Sequence, residues 1–310
     1  MTSDDGVQPE DPDEAEFPTW KKEGLPDPLA EGDVDHLAAT KESDDAATRL
    51  VRSGLFLIGW LIEQAPGPWA ITCSNDFAAI ACFARSFRQV RAATLLAHFG
   101  YYTEVPTVLR AAYEAGGVGR YLAHNPDKAD KWIEKTTWSP DSAEGWVPDR
   151  KVREWFGDTD ERAYSAIYGV LSKGAHPTAA SCIPALKIDE DGYLPRIRTE
   201  YEEDAFQESL MEILGVTLWL CFALKNAVAN PDLIRPDWTH AVADYANEVA
   251  DLIGERVGVR PDFSHLQKDW DAEYAKYEAI LKRVSVGAEA RDMVARHQEK
   301  LRRQVADVDG

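Results

Sequence analysis

Apolar positions along the chain recur mostly at the three-and-four spacing of an α-helix, with glycine and proline marking the breaks. Between His36 and Gln64 the residues Leu37, Leu50, Val51, Leu55, Ile58, Leu61 and Ile62 follow that spacing until Pro66-Gly67-Pro68, which predicts one long helix with a polar beginning. A second helix is expected from a Ser74-Asn75 cap to Gly100, carrying Arg85, Arg88 and Arg91 as a polar stripe. Thr103 reads as the cap of a third, with Pro106 in the first turn and an end near His124-Asn125-Pro126. A short helix at 127–136 follows, then an irregular segment holding Trp138, Trp146 and Trp155. Asp158-Thr159 begins the next helix, and Lys173-Gly174 closes it with a cation and a glycine cap.

Downstream, Asp189-Glu190-Asp191-Gly192 lies between two short apolar runs and predicts a β-hairpin, at a sheet edge because of Pro195. Helices are expected again over 203–229 and 237–256. An amphipathic pair at 265–284 and 286–305 has Trp270, Tyr274, Tyr277, Leu281 and Val284 as its apolar stripe. The expected class is therefore all-α: a helical bundle with a short β-hairpin insertion and a C-terminal helix pair. With so few strands, Rossmann, TIM-barrel and hydrolase architectures lose their support, and no fixed-period repeat suggests a solenoid.

Charge changes this picture at one end. The chain has 310 residues, is 45% hydrophobic and carries a net charge of −20, enough apolar content for a sizeable core. Residues 1–35 hold twelve Asp and Glu against Lys21 and Lys22, half of the net charge, and are rich in Pro and Gly. The expected organisation is a disordered acidic arm at 1–35, a helical bundle at 36–260 and C-terminal amphipathic helices at 261–310. The acidic balance gives no general electrostatic reason to bind nucleic acid. The best apolar run, Ser53 to Leu61, is too short to span a bilayer, and the N-terminus is acidic where a secretory leader is basic. A cytoplasmic location with no membrane partner is expected. Cys73, Cys82, Cys182 and Cys221 form no CxxC pair and read as buried reduced thiols.

The chemistry concentrates on the third helix. In VPTVLRAAYEAGGVG the charged residues are Arg110 and Glu114, four apart and so on one face of a segment otherwise apolar or small. In a dry setting they should pair, and a guanidinium with five donors needs further partners. Ser172 and His176, in Leu171-Ser-Lys-Gly-Ala-His176-Pro177, are the candidates, because a histidine at a helix C-terminus meets the negative end of the dipole. Arg110, Glu114, Ser172 and His176 read either as a catalytic or anion-gripping pocket, or as a structural polar knot that locks two helices and a loop. Gly116, Gly117 and Gly119 fall inside the helix pattern and suggest close packing instead of a phosphate cradle. No HExxH, Glu-x-x-His pair, Walker motif or GxSxG occurs, so neither a metal nor a cofactor is expected.

The order RAATLLAHFGYYTEVPTVLRAAYEAGGVGRYLAHNPDKADKW, followed by Tyr-x2-Leu-Ser-x3-His-Pro, resembles an uncharacterised family of all-helical bacterial and phage-associated proteins. That family pairs an Arg-x3-Glu helix with a later Ser-x3-His, and the resemblance covers roughly residues 75 to 230. Its layout is similar to HEPN domains, many of which are metal-independent ribonucleases of toxin and phage-defence systems with an Arg-x4–6-His signature. Arg91/His98, Arg235/His240, Arg260/His265 and Arg291/His297 match that spacing, and Arg91/His98 is the pair on a helix inside the resembling region. The residue after Arg91 is Ala92, where active HEPN nucleases carry a polar one. The resemblance implies a defence- or stress-associated protein that acts through a buried polar site. Its alternatives are a HEPN-like ribonuclease using Arg91 and His98, or a self-association module without catalysis. The expected partners are a second copy of the chain or another protein, with RNA only under the ribonuclease reading.

Overall fold

The structure is a computed structural model that describes residues 40, 46–64, 68–69, 73–135, 147, 149–176, 186–189, 192–195, 201–231, 234–262, 275 and 279. The described residues are mostly helical. Helix α1 spans Ala46–Glu63, α2 Ser74–His98, α3 Val105–Ala123, α4 Pro126–Glu134 and α5 Asp149–Ala175. Two short strands follow, β1 Leu186–Asp189 and β2 Gly192–Pro195, paired antiparallel with Leu186 opposite Pro195. Helices α6, Glu203–Lys225, and α7, Pro236–Val257, complete the described chain. The expected acidic arm lies outside the described residues, as does the expected C-terminal helix pair apart from residues 275 and 279.

Helix α6 is the spine. Phe206, Leu210, Ile213, Leu214, Thr217, Leu220, Cys221 and Leu224 are buried around nearly its whole circumference, the signature of a helix enclosed by others. Among the described helices it alone is long and apolar enough to cross a membrane, and most of that stretch is buried inside the bundle. The longest uncharged apolar run is thus Ile213–Leu224, and not Ser53–Leu61 as the sequence suggested.

Helices α2 and α3 form an antiparallel pair. Asn75 Nδ2 donates to the Ala123 carbonyl (2.9 Å) at one end, and Ser86 Oγ donates to the Ala112 carbonyl (2.8 Å) further along. Glycines let the helices close up: a Cβ on Gly119 would stand 2.9 Å from Cys82 Cβ, and one on Gly116 would collide with Leu220. On the other side, α1 meets α7, where the buried indole of Trp238 donates to the Leu57 carbonyl (2.7 Å).

Several helix ends differ from the sequence expectation, two of them because the presumed capping side chains have other partners. Cys73 is the N-cap of α2, while the Ser74 hydroxyl reaches Asp130 and Asn75 reaches α3. Glu104 caps α3, and Thr103 Oγ1 donates to its carboxylate (2.8 Å). Helix α5 begins at Asp149, ahead of Asp158-Thr159, and runs through Gly174 to Ala175. Gly174 is therefore no cap; it gives room to Pro106, whose ring atoms a Cβ there would strike at 2.6 Å. The glycines with positive φ among the described residues are Gly100 (82°), which ends α2 as expected, and Gly258 (78°), which ends α7. Cys73 is exposed, unlike the buried Cys82 and Cys221. Burial pushes the Cys82 thiol up to about 12, against a smaller opposing pull from Arg85, and raises Cys221 further.

Candidate functional site

Arg110 projects from the middle of α3 toward the last turns of α5. Its Nε donates to Glu114 Oε1 at 3.0 Å, within α3. The two outer nitrogens cross to α5: Nη2 donates to Tyr168 Oη at 2.6 Å, and Nη1 lies 3.0 Å from His176 Nε2. The guanidinium carbon also sits 4.8 Å from the centre of the Tyr168 ring, a cation–π contact. Because arginine can only donate, His176 Nε2 must accept, so the neutral ring carries its proton on Nδ1. Burial disfavours the Arg110 charge, but the Glu114 carboxylate and the Tyr168 oxygen more than offset it, and its pKa lies above the ordinary arginine value.

Tyr168 and Ser172 on α5, and His176 one residue past its end with its N–H still bonded to the Ser172 carbonyl (3.2 Å), are spaced by four and share one face, which is why both ends of that face reach one guanidinium. Ser172, between them, has a buried Oγ with no hydrogen-bond partner among the described residues. Arg110 has three of its five N–H groups paired, leaving one on each Nη without a partner among the described residues.

The site is not the dry interior pair expected from the sequence. Arg110 is 23% exposed, Glu114 39%, and His176 stands at the surface where α5 ends. A helix whose inner face is filled by Leu109, Ala112, Tyr113, Gly116 and Gly119 leaves its charged face at the edge of the α3–α5 seam. Tyr168, the strongest partner by distance, was not among the sequence candidates. Its signal is the spacing of four to Ser172 and of eight to His176.

The second pair of candidates is not brought together in this way. Arg91 is exposed, as are Arg85 and Arg88 on the same stripe. His98, two turns on, is 9% exposed with its ring 5.3 Å from that of Phe206. Its imidazole serves the packing of α2 on α6. Among the described residues no group of three or more His, Cys, Asp and Glu is placed to hold a metal ion.

No family model, curated protein or solved structure matches this chain.

Proposed function

We propose that the protein acts by binding an oxyanion group, a carboxylate or a phosphate, at the Nη edge of Arg110. The observation that carries this reading is the Ser172 hydroxyl, buried and unpartnered on the same α5 face as the two side chains that hold the guanidinium. A buried polar group without a partner costs about 1–3 kcal/mol, which a ligand oxygen would recover. Glu114 is met by Nε, so the two unpaired N–H groups belong one to each Nη, donors that suit an oxyanion.

The bacterial, defence- or stress-associated setting and the cytoplasmic location rest on the sequence reading and the resemblance, as do the hairpin as an insertion and the C-terminal helix pair. The ribonuclease alternative has less support, because a histidine packed on Phe206 is not offered to a substrate.

The test is calorimetric titration of the full chain with inorganic phosphate and with succinate, for the natural protein and for Ser172→Ala. Binding of at least one probe, weakened about tenfold by the substitution while the melting temperature holds or rises, is expected. A variant that binds as well as the natural chain, or no binding of either probe, leaves only the polar knot.

A further inference from the structure

Helices α1 and α7 lie antiparallel, with Leu57 near Trp238 at one end and Ala46 level with Leu252 and Glu255 at the other. Between them, on the outer surface, are two clefts of about 460 and 370 Å³ that share Ser53 and Glu248 and so make one groove. Its floor is apolar, from Leu50, Leu57 and Leu252, and its wall includes Tyr245, whose buried hydroxyl has no hydrogen-bond partner among the described residues.

The two rims carry opposite charge. Arg49 and Arg52 stand one turn apart on α1, facing Asp244, Glu248, Asp251 and Glu255 along α7, and Arg52 and all four carboxylates are exposed. Asp251 is met by Arg260 from beyond the end of α7. Arg52, Asp244 and Glu248 take part in no ion pair among the described residues, so these three charges stay apart across the groove. Phe56, next to Arg52, is 66% exposed.

We infer that this groove is an interface between two copies of the chain. A positive rim beside a negative rim is self-complementary under a two-fold axis that runs along the groove. That axis lays each α1 over the α7 of the other copy at the same level. Arg52 then faces the partner's Asp244 and the partner's Glu248. The exposed Phe56 ring comes down on the apolar end of the groove at the partner's Ala241. An axis across the groove would set arginine against arginine, and carboxylates against carboxylates, so the charge pattern selects one arrangement. Contacts of this kind, ionic at the rims with a small apolar centre, make an association that weakens with salt.

Sedimentation velocity of the full chain over a range of concentrations tests this, with thermal melts to show that each variant is folded. The natural protein is expected to form a dimer whose dissociation constant rises roughly tenfold or more from low to high salt. Arg52→Glu and Glu248→Arg should each sediment as monomers. An equimolar mixture of the two should form a heterodimer, because residue 52 of each copy then meets an opposite charge at position 248 of the other. The inference is overturned if the natural chain stays monomeric, as it would if the groove received a cationic peptide instead. It is equally overturned if either variant dimerises as well as the natural protein, or if the mixture remains monomeric.

Discussion

The Nη1 of Arg110 lies 3.0 Å from the Nε2 of His176, which stands beyond the end of another helix. Since a guanidinium has nothing but donors on its nitrogens, the imidazole must be the acceptor, and its proton belongs on Nδ1. Nitrogen-15 NMR of the histidine rings at pH 8 should show His176 as the neutral Nδ1–H tautomer. A dominant Nε2–H tautomer at pH 8 would contradict this geometry.

The same guanidinium gives a contrast of magnitudes. The Arg110–Glu114 pair is partly exposed and local to one helix, and such i, i+4 pairs contribute about 0.3–0.5 kcal/mol. Tyr168 and His176 instead join α3 to α5 through charge-assisted bonds and a ring contact. Arg110→Ala is therefore expected to cost about 1–3 kcal/mol in urea unfolding, and Glu114→Ala less than about 0.5. Arg110→Lys should recover little, because a compact ammonium cannot reach both α5 partners at once. Equal losses for Arg110→Ala and Glu114→Ala would place the energy of the site within α3 alone.

The helical class and the face of α3 were legible in the sequence because both are periodic: Arg110 and Glu114 four apart need no structure to be placed side by side. What was not legible depends on distant partners. Ser74 and Asn75 have the chemistry of caps, yet Asp130 and the Ala123 carbonyl take them. Gly174 reads as a helix stop, and its real use, making room for Pro106, exists only once α3 and α5 touch. The exposure of Arg110 was likewise beyond sequence, since the apolar content of α3 told of its inner face and not of what covers the other.

Glycine positions predict opposite signs of one substitution. A Cβ on Gly54 would stand 2.5 Å from Thr217 Cγ2 and strike the Tyr245 hydroxyl, and one on Gly116 would strike Leu220, both inside the packed core. Gly54→Ala and Gly116→Ala are expected to cost about 1–3 kcal/mol through overpacking. Gly169 and Gly215 are also mid-helix, but nothing lies within 4 Å of a Cβ there. Alanine at either should stabilise by about 0.5–1 kcal/mol, from helix propensity and a less flexible unfolded chain. Thermal melts of the four variants check this, and a destabilising Gly215→Ala would mean that this face of α6 is covered.

Glu212 supplies the pH dependence. Half-buried on α6, its carboxyl is raised to about 7, first by burial and then by the neighbouring Glu208. The sign follows from proton counts: where the native state holds a proton that the unfolded chain has released, stability falls as pH rises. The contribution is full below the unfolded carboxyl range near 4.5 and is lost as pH rises through about 7. Glu212→Gln keeps the neutral form at every pH. It should match the natural chain in urea unfolding at pH 4 and exceed it by about 1–2 kcal/mol at pH 8, the partial exposure of the group holding the figure down. A constant difference across that range, or a gain confined to acid, would show that Glu212 ionises without cost in the folded state.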